Sequence, residues 1–175
     1  MLRFTAFTSD PHYNHKNILE FCKRPFWSVD QMNEGLIDRY NSVIKDGDVV
    51  LWGGDCFFGN IKDAASIMKR LNGSKVLVRG NHDRQSRVMA AIGFSLVMDE
   101  CLIEIAGKPV RIKHYPYVDA RFPHRCPQIR PNELLIHGHT HSTEKVNGNQ
   151  IHIGVDAWDY RPAMYDEIEQ LVKAI

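Results

Sequence analysis

The chain is 175 residues long, 43% hydrophobic, and carries 22 basic against 21 acidic residues, for a formal charge of +1. That length suits one domain, residues 1–175, with a single core, and is short for two well-buried ones. Such balanced charge excludes a field that would hold DNA, RNA or anionic lipid non-specifically, so any preference for phosphate has to be local.

Met1-Leu2-Arg3-Phe4 runs directly into an alternating apolar pattern with no secretory h-region, and no apolar run approaches a membrane span. An unexported, cytoplasmic protein without a membrane partner is expected. Leu2 to Thr8 reads as a strand, ended by Ser9-Asp10-Pro11-His12, because Pro11 cannot continue a central strand. Ser28-Val29-Asp30-Gln31 has the form of a capping box and opens a helix with the apolar stripe Val29, Met32, Leu36, Tyr40 and Val43. A strand from Val49 to Trp52 stops at Gly53-Gly54-Asp55. Ile61 to Leu71 has helical spacing and stops at Asn72-Gly73. Val76-Leu77-Val78 is the next strand, ending at Arg79-Gly80-Asn81-His82-Asp83, with a helix expected to follow. This alternation predicts βαβ units with functional groups at the carboxyl ends of the strands.

The second half changes character. Leu102 to Ile105 and Val110 to Lys113 alternate about Gly107-Lys108-Pro109 as a hairpin, and Leu134-Leu135-Ile136 is a short strand before Gly138. Asn147-Gly148 signals a two-residue hairpin turn, followed by a strand from Gln150 to Val155. Met164 to Ile175 reads as an amphipathic helix. Between these lies one long irregular segment, residues 115–132, rich in Pro and Arg, and loops of that length are usually functional or mobile.

Nine histidines are the compositional oddity, and several stand beside Asp, Asn or Gly just after apolar runs. Asp10 and His12, Asp55, Asn81 and His82, His114, His139 and His141 each follow a probable strand, so one sheet edge would collect them into a shared site. Mixed oxygen and imidazole donors suit Mn, Fe, Zn, Ni or Co better than Ca. The four cysteines, Cys22, Cys56, Cys101 and Cys126, form no C-x-x-C pair and read as reduced thiols. Cys56 reads as a buried filler.

The ordered set D-x-H, G-D, G-N-H-D, a lone His and G-H-T-H, over residues 10–141, resembles the calcineurin-like metallophosphoesterase superfamily. The resemblance implies an α/β fold, α+β-like in its four layers: a calcineurin-like β-sandwich of two mixed sheets flanked by helices. It implies two divalent ions, manganese first with iron, zinc, nickel or cobalt as alternatives. One would be held by Asp10, His12, Asp55 and His141, the other by Asp55, Asn81, His114 and His139, with Asp55 bridging. The same resemblance makes His82, polarised by Asp83, the group that approaches the leaving oxygen while an activated water attacks the phosphate ester. The run Gly154-Val155-Asp156-Ala157-Trp158-Asp159-Tyr160-Arg161-Pro162 is similar to a subgroup of small bacterial and phage phosphoesterases. Gly54-Asp55-Cys56-Phe57-Phe58-Gly59 departs from the acidic and arginine residues that follow this G-D in Ser/Thr protein phosphatases, which argues against that role.

A small phosphate-ester substrate is therefore expected, with a phosphodiesterase acting on a nucleotide-like compound as the leading reading. A phosphomonoesterase, a pyrophosphohydrolase, a nuclease and a catalytically silent metal-binding scaffold are the alternatives. Arg84 and Arg87, expected inside the helix after Asp83, are surface cations with a candidate role in binding. Arg121, His124, Arg125 and Arg130 crowd the long loop, and Arg84, Arg121 and Arg125 are the candidate contacts for substrate phosphate. His15 and His137 read as supporting residues next to the motifs, and Trp158 and Tyr160 as packing residues.

Overall fold

The computed structural model describes residues 3–175. Strand β1 (Ala6–Thr8), the short helix α1 (Ile18–Phe21), α2 (Val29–Val43), β2 (Val49–Trp52), α3 (Ile61–Arg70), β3 (Ser74–Val78), α4 (Ser86–Ile92) and β4 (Leu96–Met98) form the first half. The second half is β5 (Cys101–Ile105), β6 (Lys108–Ile112), β7 (Leu134–His137), β8 (Val146–Asn147), β9 (Gln150–His152), β10 (Ala163–Met164) and α5 (Tyr165–Ala174). Two five-stranded sheets result, in the orders β10-β1-β2-β3-β4 and β5-β6-β7-β9-β8. Both are mixed: β10 is antiparallel to β1 in an otherwise parallel sheet, while β6, β7 and β9 are parallel between antiparallel edges.

The expected single core is divided into two layers, because the first sheet is buried on both faces. Successive residues of a strand point to opposite sides. Ala6, Val50, Trp52 and Leu77 therefore pack with Met32, Leu36, Tyr40 and Met68 on the helical side. Phe7, Leu51, Val76 and Val78 meet Val110, Ile112, Ile136 and Ile151 of the second sheet, with Ile168 and Val172 of α5 closing that layer. Burying each such side chain contributes about 1.5–3 kcal/mol.

Helix α2 begins as its sequence predicts, with the Ser28 hydroxyl accepting from the Gln31 amide at 3.1 Å, although the Gln31 side chain reaches back to the amide of Trp27, not Ser28. The first strand is shorter than the expected Leu2 to Thr8, and Leu2 lies outside the described residues. Strand β9 stops at His152 instead of Val155, where a turn of 3-10 helix begins. Its hairpin pairs Asn147 with Gln150, so the turn residues are Gly148 and Asn149, one position later than the Asn-Gly signal suggests; Gly148 takes the positive φ of 59°. Among the described residues no helix is long and apolar enough to cross a membrane.

Candidate metal centre

Strands β1, β2 and β3 of one sheet and β6 and β7 of the other end along a common rim, and the chain turns sharply at each exit. Asp10, His12, Asp55, His139 and His141 all sit in the left-handed backbone region, with φ of 57°, 51°, 54°, 68° and 52°. Such conformations cost on the order of 1–3 kcal/mol each and persist where the surroundings enforce them. They let two residues of a D-x-H or H-x-H unit face one point. Close approach needs bare backbone: a Cβ on Gly54, whose φ is +108°, would overlap the backbone of Gly80, and one on Gly138 would overlap Ser9 and the Asp10 carboxylate.

Two groups of donors converge. Asp10, His12 and His141 form one, and Asp55, His114 and His139 the other, each with donor atoms within 4.8 Å of one another. Asp55 Oδ2 lies 3.6 Å from His12 Nε2 and 3.4 Å from His114 Nε2, so one carboxylate oxygen stands between the groups. Asn81 Oδ1 is 3.0 Å from His114 Nε2, which adds the eighth-decade turn to the second group. All seven expected ligands, Asp10, His12, Asp55, Asn81, His114, His139 and His141, thus share one cluster.

The donor set fits cations. Asp10 Oδ1 and both ring nitrogens of His12 are buried without a hydrogen-bond partner, and orphaned buried polar atoms are costly. The His114 Nδ1–H donates to the carbonyl of Gly53 at 2.8 Å, so a neutral ring turns its Nε2 lone pair toward the acceptor oxygens of Asn81 and Asp55. Such facing acceptors are stable only around positive charge, supplied by a cation or, without one, by a second proton on the ring.

Residues 6–153 match the model of the calcineurin-like phosphoesterase superfamily domain. The chain belongs to the calcineurin-like phosphoesterase superfamily. An uncharacterized protein of Methanocaldococcus jannaschii is 30% identical over 174 residues, covering 94% of this chain and 89% of that one. The gene 66 protein of Mycobacterium phage L5 is 32% identical over 198 residues, covering 98% and 95% respectively. The crystal structure of a protein of unknown function from Aquifex aeolicus superposes with a TM-score of 0.77 at 28% identity, covering 95% and 97%. Membership makes this chain a metal-dependent phosphoester hydrolase.

Electrostatics in this phosphoesterase follow from the crowding of acceptors. Burial alone would lower His114, but the hydrogen bond and charge of Asp55 and the charge of Asp10 override it and hold the ring at about 9. His141 behaves alike, pushed up to about 10 against burial, chiefly by Asp156. His12, without a carboxylate bonded to it, is carried well below the usual imidazole range by burial. Both shifts have one physical cause, the carboxylates crowded around His114 and His141.

His82 projects from the turn after β3 with its ring 47% exposed and its Nε2 4.0 Å from Asp55 Oδ2, while its amide donates to Asp55 Oδ1 at 2.9 Å. Asp83 differs from its expected part in polarising that ring. Its carboxylate oxygens accept instead from the amides of Asp55 and Cys56, both at 2.9 Å, and of Gly80 at 2.8 Å, so it clamps the two motif turns together. Cys56 is fully buried behind this clamp, and burial pushes its thiol well above the usual range.

Arg84 lies in the turn before α4, outside the helix expected to hold it, and donates to the carbonyl of Gly59 at 2.8 Å. Arg121 pairs with Asp119 at 3.2 Å, and Arg125 donates to the Tyr115 hydroxyl at 2.8 Å. All three guanidiniums therefore already have partners. His15 stacks on Phe58 with centroids 3.8 Å apart, and His137 donates through Nδ1 to the Gly138 carbonyl. Trp158 is buried and donates to the His152 carbonyl. Sequence reasoning missed Arg24, Asp119 and Asp156, which stand behind the rim histidines. Asp156 lies in a noted run, but nothing local in the sequence pairs it with residue 24.

Proposed function

We propose that this phosphoesterase holds two divalent ions, manganese foremost, and hydrolyses a phosphodiester bond in a small nucleotide-like substrate. The observation that carries the binuclear reading is the position of Asp55 Oδ2 between His12 and His114, at 3.6 and 3.4 Å. Asp10, His12, Asp55 and His141 would hold one ion, and Asp55, Asn81, His114 and His139 the other. When bound, such a pair supplies a water-derived nucleophile at neutral pH and offsets charge on the phosphoryl oxygens.

The remaining chemistry falls to the chain itself. His82 is exposed enough to meet a substrate and tethered by its amide to Asp55, so its ring can give a proton to the departing oxygen. Asp83 keeps the turns of Asp55 and Asn81 in register through three backbone N–H groups. Preference for a diester follows from charge. Arg121 has its charge offset by Asp119, and Arg84 and Arg125 each direct an N–H to a neutral oxygen, of Gly59 and Tyr115, so none of these three is held by its observed bonds toward the second negative charge of a monoester.

Turnover of p-nitrophenyl phosphate, bis-p-nitrophenyl phosphate, thymidine 5′-p-nitrophenyl phosphate, cyclic nucleotides and dinucleoside polyphosphates, each with Mn²⁺, Ni²⁺ and Zn²⁺, tests the reading. Higher kcat/KM on the diesters is expected. A preference for the monoester, or for the polyphosphates, would move the activity to a phosphomonoesterase or a pyrophosphohydrolase.

A further inference from the structure

Arg24 is a cation sealed inside the protein, with a side chain 0% exposed, and it lies outside every motif of the site. Its guanidinium makes four contacts to oxygen. It donates through Nε and Nη2 to Asp156, both at 2.9 Å, through Nη2 to the carbonyl of Asp10 at 2.7 Å, and through Nη1 to the carbonyl of Pro11 at 2.8 Å. Asp156 in turn accepts from His141 Nδ1 at 2.9 Å and is only 4% exposed. With Nδ1 bonded to Asp156, the Nε2 atom is left for the group it forms with Asp10 and His12, where a bound cation would take the place of its proton.

One planar fork therefore reaches both halves of the first donor group. Through two carbonyls it fixes the turn that carries Asp10 and His12, and through Asp156 it fixes the ring and tautomer of His141. Lysine could not do this, because a point charge lacks the rigid pair of donors that a carboxylate accepts side by side. A buried ion pair is weak evidence of stabilisation in itself, since desolvation offsets much of the attraction, so its significance lies in where its bonds go and not in its energy.

We infer that Arg24 and Asp156 act as one positioning unit that assembles the Asp10–His12–His141 metal position, leaving the Asp55–His114–His139 position to other supports. The inference rests on the binuclear reading above. Loss of such an outer partner typically lowers metal affinity ten- to a hundredfold.

The test is Mn²⁺ binding to metal-stripped full-length protein, followed by calorimetry and by elemental analysis, for wild type, Asp156→Asn and the double variant Arg24→Met/Asp156→Asn. The double variant removes both buried charges and keeps the test valid where the single change leaves Arg24 unpaired and unfolds the chain. Asp119→Asn, whose one bond to an expected ligand is to His139, is the internal control. Expected is a fall of ten- to a hundredfold in one of two Mn²⁺ affinities for both Asp156 variants, with the other changed less than about threefold. Diesterase activity should return at saturating Mn²⁺. The control should weaken the opposite position. A natively folded double variant with both affinities unchanged overturns the inference, as does an equal fall in both, while leaving the binuclear reading intact. A wild type that takes up fewer than two ions overturns both.

Discussion

The two sheets hold their shares of the rim by different means. On the first sheet, the turns are held through their backbone groups: the amides of Asp10 and His12 donate to the carbonyls of Gly54 and Asp55, at 3.0 and 3.2 Å, the Asp83 carboxylate collects the amides of Asp55, Cys56 and Gly80, and Arg24 binds the carbonyls of Asp10 and Pro11. On the second, the imidazole rings of His139 and His141 are what is held. His139 leans on Asp119 at 2.8 Å, which also pairs with the 69% exposed Arg121 two residues on, and His141 leans on Asp156 and buried Arg24. Bonds cross between the halves, among them the His139 amide to Asp10 Oδ2 at 2.9 Å and His114 Nδ1 to the Gly53 carbonyl at 2.8 Å. The difference teaches that charge is located by parallel strand ends, whereas imidazole orientation is assigned by carboxylates from distant segments. Damage on the first side should be all-or-none and on the second side graded.

Asp55→Ala is the strongest test of the first half. It removes the oxygen shared by the two donor groups, so no turnover of an aryl phosphodiester and loss of at least one ion by elemental analysis are expected; Cys56→Ser, at the next residue along the chain, should keep most activity. Retained activity in the aspartate variant would break the proposed two-metal chemistry. Next in size is Asp83→Ala, which leaves three backbone N–H groups of a mostly buried turn without their acceptor. At roughly 1–3 kcal/mol for each unsatisfied group, partly relieved by water, about 3–5 kcal/mol of stability should disappear in urea denaturation under chelator. A loss under about 1 kcal/mol would show that the clamp is not what fixes these turns.

The same contrast explains what the sequence makes legible. The alternation in β2 and β3 and the caps of α2 and α3 are local signals, and the motif residues stand at the ends of apolar runs, so the first sheet and the seven rim residues can be read directly. Asp83 adjoins His82 in sequence, yet its role depends on amides 27 and 28 residues away, which no local pattern specifies. Arg24 to Asp156 spans 132 positions. Asp119 looks like any polar residue of a Pro- and Arg-rich loop until the fold brings it to His139. The short strands β4 and β10 and the four-residue α1 also escape a periodicity argument, because so few residues establish no period.

His82 lies between the two regimes, fixed through its amide but free at its ring. His82→Ala should keep both ions and lower kcat by about a hundredfold on diesters with poor leaving groups, within the usual range for acid-base catalysis. A good leaving group such as p-nitrophenolate needs little protonation, so the loss should shrink as leaving-group pKa falls. A series of aryl diesters gives the slope. Equal losses across it would assign the ring to charge on the phosphoryl oxygens, and loss of an ion would make it a ligand or its support.

The smallest effects are expected where the second half meets solvent. Arg121 is exposed and its partner Asp119 keeps the hydrogen bond to His139 whether or not the guanidinium is present. That arginine, by hydrogen bonding first, holds the Asp119 carboxyl at about 2; without it the group returns toward the ordinary Asp value of about 4, still below neutral pH, so the carboxylate stays ionised and able to accept. Exposed ion pairs contribute on the order of 0–1 kcal/mol, equivalent to a factor of about five or less. Arg121→Ala should therefore lower kcat/KM by less than about fivefold, with salt weakening the difference further. Arg125→Ala removes a hydrogen bond to Tyr115 and stacking on Phe122, and should act on the same scale. Should either change cost a hundredfold in KM at constant kcat, the arginine leaves its partner to bind substrate. In that case the 115–132 loop supplies recognition as well as support for His139.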